Sequence, residues 1–195
     1  MDLRDQYSAL IFDCDGTLTD SMPLHFLAWR DTMSRHGIDF TEERFYAMGG
    51  MRTEKIVAIL SKETGIDIDA ATVAAEKEAA FMEHMPQLQP REDICQIAKD
   101  YAGVLPMAVA SGSERAVVLA QLKLLGITEL FGAIVAAEDT QLHKPEPDVF
   151  LKAAKLLGVD ASTCLVYEDS PLGFQAALAA GMQYVDVRIS DGPAN

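Results

Sequence analysis

Five short apolar runs, each giving way to a polar turn and then to helical spacing, limit what this chain can fold into. They fall at residues 8–12, 105–110, 133–135, 164–167 and 184–187. Continuous apolar runs of this length, bounded by turn residues, read as strands buried on both faces. Helical patterns fill the gaps. One runs over 92–102, one is capped by Ser113 and reaches Leu125, one opens at Pro145-Glu146-Pro147 and ends near Gly158, and one follows Ser170 to Ala180. Strands alternating with helices in this way predict an α/β fold, a doubly wound, Rossmann-like parallel sheet.

The alternation is interrupted once. Residues 19–90 carry no strand signal and instead predict four helices, at 21–36, 41–48, 53–64 and 69–85. Ser21 stands as N-cap of the first, with Pro23 in its first turn and Gly37 at its end, and Gly65 stops the third. Apolar residues such as Ile56, Ile59, Leu60, Val73 and Phe81 keep three- and four-residue spacing. The α/β domain is therefore expected to be discontinuous, 1–18 and 91–195, with 19–90 as an inserted helical cap domain. An insertion at the end of the first strand belongs over the C-terminal edge of the sheet, where open α/β sheets bind ligands.

With 49% hydrophobic and 24% charged residues the chain is globular rather than disordered. A net charge of −14 argues against a nucleic-acid backbone or an anionic membrane as partner. An anionic substrate would need local Lys or Arg to overcome that field. Cys14, Cys95 and Cys164 are odd in number and far apart, which predicts free thiols in a reducing compartment. No signal-like apolar core and no 18-residue apolar run occurs, so the expected location is cytoplasmic and the expected state a monomer.

The first strand ends in Asp13-Cys14-Asp15-Gly16-Thr17-Leu18. On a continuing strand Asp13 and Asp15 would face opposite ways, but Gly16 lets the backbone curl and bring both acids into one small volume. Two like charges held that close need a cation or a proton. Mg²⁺, which takes one or two carboxylates plus phosphate oxygens, suits the pair. An EF-hand loop fails, because Gly falls fourth from Asp13 and Leu24 occupies the twelfth position. A Cys14 nucleophile fails as well, because residues 15–20 hold no Arg for a phosphate loop.

The other strand ends release Ser111-Gly112, the loop to Lys144, and Glu168-Asp169. Each is ordinary alone: a turn, a surface lysine, a helix cap. Together they place a hydroxyl, free amides, one cation and four carboxylates around one site. Phosphate-monoester hydrolysis calls for such a set, with accelerations up to about 10²¹-fold to be found. A carboxylate nucleophile is repelled by a dianionic phosphate until positive charge intervenes, and a second carboxyl can protonate the leaving oxygen and then activate water.

Asp-x-Asp-Gly-Thr-Leu at 13–18, the Ser111 strand end, Lys144-Pro145-x-Pro147 and Glu168-Asp169-Ser170 resemble, in order and in strand placement, the four motifs of the haloacid dehalogenase superfamily. The resemblance implies that Asp13 is the nucleophile and Asp15 the general acid/base. It also implies that Ser111 and Lys144 bind the transferring phosphoryl group, with the Gly112 amide beside them. Mg²⁺ would be held by Asp13, the Asp15 carbonyl and Asp169, with Glu168 a further candidate. Asp15 disfavours true dehalogenase activity.

Thr19-Asp20-Ser21, His25, Ala28-Trp29 and Gly49-Gly50-Met51-Arg52 are similar to the β-phosphoglucomutase-like subgroup with a helical cap. That likeness implies that His25 contacts the general acid and Arg52 grips a distal sugar phosphate, with Lys77 a further candidate cap ligand. Glu114 departs from the mutase pattern and would repel a second phosphate. The chain looks closest to the bacterial sugar phosphatases of the subgroup, which act on fructose-1-phosphate and similar molecules. The expectation is therefore a Mg²⁺-dependent phosphatase of small sugar phosphates. A β-phosphoglucomutase interconverting β-glucose-1-phosphate and glucose-6-phosphate is the alternative, and a non-catalytic binding module is disfavoured by the intact acids and lysine.

Overall fold

The computed structural model describes residues 2–49 and 51–190. Gly50, part of the 49–52 motif, lies outside the described residues. In chain order the elements are β1 (Ala9–Phe12), α1 (Met22–Arg35), α2 (Glu42–Ala47), α3 (Thr53–Thr64), α4 (Ala70–His84), α5 (Glu92–Asp100), β2 (Met107–Ala110), α6 (Arg115–Leu124), β3 (Ala133–Val135), α7 (Asp148–Leu157), β4 (Cys164–Glu168), α8 (Pro171–Ala179) and β5 (Gln183–Asp186). The chain divides into two compact units, Met1–Asp20 with Gln89–Asn195, and Ser21–Leu88.

The first unit is a five-stranded parallel sheet in the order β3-β2-β1-β4-β5. β1 is central, and alternate side chains leave it in opposite directions. Leu10 and Phe12 join Ile94, Ala98, Val118 and Leu122 of α5 and α6 on one face. Ala9 and Ile11 join Val149, Phe150, Ala153 and Ala177 of α7 and α8 on the other. Both faces of β1, β2 and β4 are therefore sealed, which is why these strands read as unbroken apolar runs. Phe12 stacks on Tyr167 at 4.9 Å between ring centroids, fixing the β1–β4 register Phe12↔Tyr167. That register sets Asp13 beside Glu168 at the C-terminal edge. The winding direction reverses between β1 and β4, the position where such sheets form a ligand crevice.

The second unit is helical, with a core of Trp29, Met33, Phe40, Phe45, Val57 and Leu60 among others. Asp69 caps α4 through Thr72 N, and α3 ends at Gly65 in a left-handed conformation. Ser21 occupies the N-cap position of α1 without a side-chain capping bond.

The expected start of one helix is corrected. α6 begins at Arg115 with Glu114 as N-cap, not at Ser113. The Ser113 hydroxyl donates instead to Asp15, so a residue that looks like a cap belongs to the acidic turn. Cys14, Cys95 and Cys164 are buried free thiols, and burial pushes Cys95 and Cys164 up to about 11. Among the described residues no helix is long and apolar enough to cross a membrane.

Candidate active site

β1 delivers Asp13, whose amide donates to Tyr167 O at 2.9 Å and so extends the ladder by one residue. The chain then turns back. Leu18 N and Thr19 N both donate to Cys14 O, Gly16 N donates to Thr19 O at 2.8 Å, and Gly16 sits at φ +78°. Glycine takes that left-handed conformation without steric cost. The turn closes tightly enough for Asp15 and Thr19 to form a β-bridge.

Lys144 is the hub of the charges. Its Nζ lies 2.7 Å from Asp13 Oδ1 and 2.7 Å from Glu168 Oε2, over the Phe150 ring at 5.0 Å. Asp13 and Glu168 are 5% and 1% exposed, so these pairs work in a low-dielectric setting. Burial pulls the ammonium toward neutrality, but Asp13 and Glu168 outweigh it and leave Lys144 above its ordinary value. Glu168 is held from its other side: Oε1 accepts from Ser170 Oγ at 2.8 Å and Ser170 N at 3.1 Å. Ser170 in turn caps α8 through Gly173 N.

Asp13, Glu168 and Asp169 offer carboxylate oxygens within 4.8 Å of one another. Burial, then Glu168 and Asp169, raise Asp13 well above the usual carboxylate range although Lys144 opposes them. Burial and Glu168 push Asp169 up to about 7. Three carboxylates share one ammonium, so all three can be ionised together only if a further cation offsets them. The donors are all hard oxygens, so a divalent cation of the Mg²⁺ type fits the group in charge and in chemistry.

Asp15 is placed differently from Asp13. Its Oδ2 accepts from Ser113 Oγ at 2.6 Å and its Oδ1 from Gln121 Nε2 at 2.8 Å. Ser111 is buried at the end of β2, and its Oγ accepts from Ser113 N at 3.0 Å. Gly112 lies between them, with open space where a Cβ would stand. Asp13, Lys144, Glu168 and Asp169 thus form one cluster, and Asp15, Ser111 and Ser113 a second along the same turn.

His25 and Arg52 belong to the helical unit. His25 is buried and stacked on Phe81 with 3.8 Å between ring centroids, and its Nδ1 lies 2.9 Å from Lys77 Nζ. An ammonium can only donate, so Nδ1 accepts and Nε2 carries the imidazole proton. Lys77, 4% exposed, also reaches Glu78 Oε1 at 3.0 Å and lies over Trp29 and Phe81. Arg52 is the exposed N-cap residue of α3 and pairs with Glu54 at 3.0 Å. Lys77 is therefore the immediate partner of His25, a pairing its isolated place in the α4 sequence does not announce.

Four further residues escape sequence reasoning. Ser113 reads as a helix cap and Thr19 as a turn residue. Gln121 reads as one polar position of a helix, although it falls with Val118 and Leu122 on the spacing of the buried stripe. Gly173 reads as a gap in an alanine-rich helix, yet a Cβ there would stand 2.0 Å from Glu168 Cδ.

Comparison with known proteins bears directly on these clusters. The pattern of the haloacid dehalogenase-like hydrolases matches residues 7–181. The chain is 38% identical over 187 residues to the fructose-1-phosphate phosphatase YqaB of Escherichia coli, covering 96% of this chain and 100% of that protein. It is 29% identical to a beta-phosphoglucomutase of Bacillus subtilis, covering 92% of this chain and 82% of that one. Among solved structures, CbbY of Rhodobacter sphaeroides in complex with phosphate superposes with a TM-score of 0.82 at 25% identity, covering 91% of this chain and 84% of that one. A parallel sheet whose central strand ends in paired aspartates, with a lysine and two more acids gathered beside them, thus coincides with a match over nearly the full sequence, and the chain belongs to the haloacid dehalogenase-like hydrolase family.

Proposed function

We propose that this enzyme is a Mg²⁺-dependent phosphatase of small sugar phosphates, fructose-1-phosphate first among them, working through an aspartyl-phosphate on Asp13. The observation that carries the reading is Lys144 Nζ bridging Asp13 and Glu168 at 2.7 Å each, beside Asp169. This arrangement sets an ammonium against the attacking carboxylate oxygen, where a dianionic phosphate must approach. The substrate class is supported by the full-length match to a fructose-1-phosphate phosphatase.

In this reading an Asp13 carboxylate oxygen forms a bond to phosphorus while the phosphorus–oxygen bond to the sugar breaks. The sugar oxygen takes a proton from Asp15 as it leaves. Water then gives its proton back to Asp15 and attacks the phosphorus, releasing phosphate and restoring Asp13. Lys144 and the Ser111–Gly112 segment hold the transferring phosphoryl group. The side chains of Asp13 and Asp169, the Asp15 carbonyl and, as a further candidate, Glu168 would hold Mg²⁺, which would supply positive charge toward the transferring phosphoryl group. Arg52 and His25 are assigned to substrate binding.

The test is phosphate release from a panel of sugar phosphates with Mg²⁺, beside an assay converting β-glucose-1-phosphate to glucose-6-phosphate. Release from fructose-1-phosphate or a relative without isomerisation is expected. Isomerisation with little release would move the enzyme to the mutases, as its likeness to a beta-phosphoglucomutase allows, and would overturn the weight given to Glu114 at the start of α6.

The crowding of carboxylates has its own consequence. Mg²⁺ at ten times its dissociation constant is expected to stabilise the protein by roughly 1.4 kcal/mol, raising the melting temperature by about 3–6 °C. A chelator should reverse the shift. A melting temperature indifferent to both would remove the metal from the reading.

A further inference from the structure

Gln121 is fully buried on α6, in a stripe otherwise made of Val117, Val118 and Leu122. A leucine would pack there at no polar cost, whereas a buried amide is tolerated only when its donors and acceptor are used. Here they are. Nε2 donates to Asp15 Oδ1 at 2.8 Å, and Oε1 accepts from Thr19 Oγ1 at 2.7 Å. Thr19 is itself fully buried, and its hydroxyl also lies 3.1 Å from Cys14 O. Flipping the amide would set its oxygen against the Asp15 carboxylate, so the partners fix its orientation. The other Asp15 oxygen accepts from Ser113 Oγ at 2.6 Å.

We infer that Gln121 is a positioning residue for Asp15: oriented by Thr19, its amide fixes the rotation of the Asp15 carboxyl and with it the oxygen that exchanges protons with the leaving group and with water. Two donors arriving at different oxygens, one from the loop after β2 and one from α6, leave the carboxyl no free torsion. The element that brings Gln121 is part of the hydrophobic core through Val118 and Leu122, so the anchor is rigid where the turn itself is a loop. The inference rests on the aspartyl-phosphate reading, because Asp15 matters twice in that cycle.

The two steps separate experimentally with p-nitrophenyl phosphate. Nitrophenolate leaves without a proton, so formation of the aspartyl-phosphate does not need Asp15, whereas its hydrolysis needs Asp15 to take the proton of water. Gln121→Met keeps the length and the apolar packing and removes the donor. In rapid mixing with Mg²⁺ its nitrophenol burst is expected to keep the wild-type rate while steady-state kcat falls roughly 10–100-fold and KM falls in step, so that kcat/KM, set by the first step, stays near wild type. Thr19→Val, which frees the amide to turn, is expected to act in the same direction more weakly, and the two substitutions together less than additively. Folding is read separately from the melting temperature, and active-site titration by the burst amplitude counts competent enzyme.

A merely structural Gln121 would lower the melting temperature and the burst amplitude while leaving the ratio of burst rate to steady-state rate at its wild-type value. That result, in Gln121→Met or in Thr19→Val if the first does not fold, overturns the inference. Failure of the underlying reading looks different: Asp13→Asn would then retain turnover, and no acid-stable phosphoenzyme would form in the wild type.

Discussion

Gly173→Ala is expected to cut turnover roughly 100-fold or more while leaving the sheet folded. The added Cβ would stand 2.0 Å from Glu168 Cδ and 2.3 Å from Oε1, well inside contact distance. In an open setting a glutamate would swing aside cheaply. Here its carboxyl is 1% exposed and tied at both oxygens, to Lys144 on one side and to Ser170 on the other. Moving it strips Lys144 of one of its two carboxylates and loosens the ammonium that Asp13 depends on. Breaking a buried pair costs about 3–5 kcal/mol when one partner is removed, and displacement should recover part of that through water. A loss of about 2–4 kcal/mol in unfolding experiments is therefore expected.

The mechanism of that loss can be isolated. Glu168→Ala removes the obstructed side chain, so adding Gly173→Ala to it should cost little further stability or activity. Additive losses in the double variant would mean that Gly173 acts through the backbone of α8 rather than through Glu168. In Gly173→Ala alone the helix itself should gain slightly from alanine, since glycine inside a helix is worth about 1 kcal/mol less. The glycine is therefore kept against helix propensity, for the space it leaves.

The fold was legible because its strongest signals are local. Each strand sealed on both faces shows as an apolar run, and each helix between strands carries its own punctuation. The two edge strands are the weaker cases: β5 is largely exposed and was displaced by one residue, from 184–187 in sequence to Gln183–Asp186 in the structure. The acids and the lysine were legible for a related reason. Asp13, Ser111, Lys144 and Glu168-Asp169 all follow strand ends or a Pro-marked loop, and a parallel sheet brings strand ends together at one edge. What escaped were residues whose meaning depends on a partner far along the chain. Gln121 is 106 positions from Asp15, Ser113 is 98 positions from it, and Lys77 is 52 positions from His25. Periodicity can flag a polar residue in a buried stripe, but the hydrogen-bond partner comes only with the fold. Gly173 was hidden for the converse reason, since it contributes no atoms and is defined by the side chain it admits.

Asp13→Asn is expected to lower phosphatase turnover by at least about 10⁴-fold, since it removes the nucleophile and leaves the remaining machinery only its power to bind and polarise. The fold should survive. Asn keeps the shape of the side chain, Lys144 keeps Glu168 at 2.7 Å, and the crowd of Asp13, Glu168 and Asp169 loses one negative charge. Without metal the melting temperature should therefore be equal to or above that of the wild type. With Mg²⁺ the order should reverse, because the variant has given up a ligand and with it part of the mass-action stabilisation. Acid quenching during turnover should trap a phosphoryl group, labile to hydroxylamine, on the wild type and none on the variant. Residual activity within about tenfold of wild type, in a sample free of deamidated Asp13, would sink the nucleophile assignment. The opposite signs of the two thermal shifts also separate the roles of Asp13, because a residue needed only for packing would lower the melting temperature with and without metal alike.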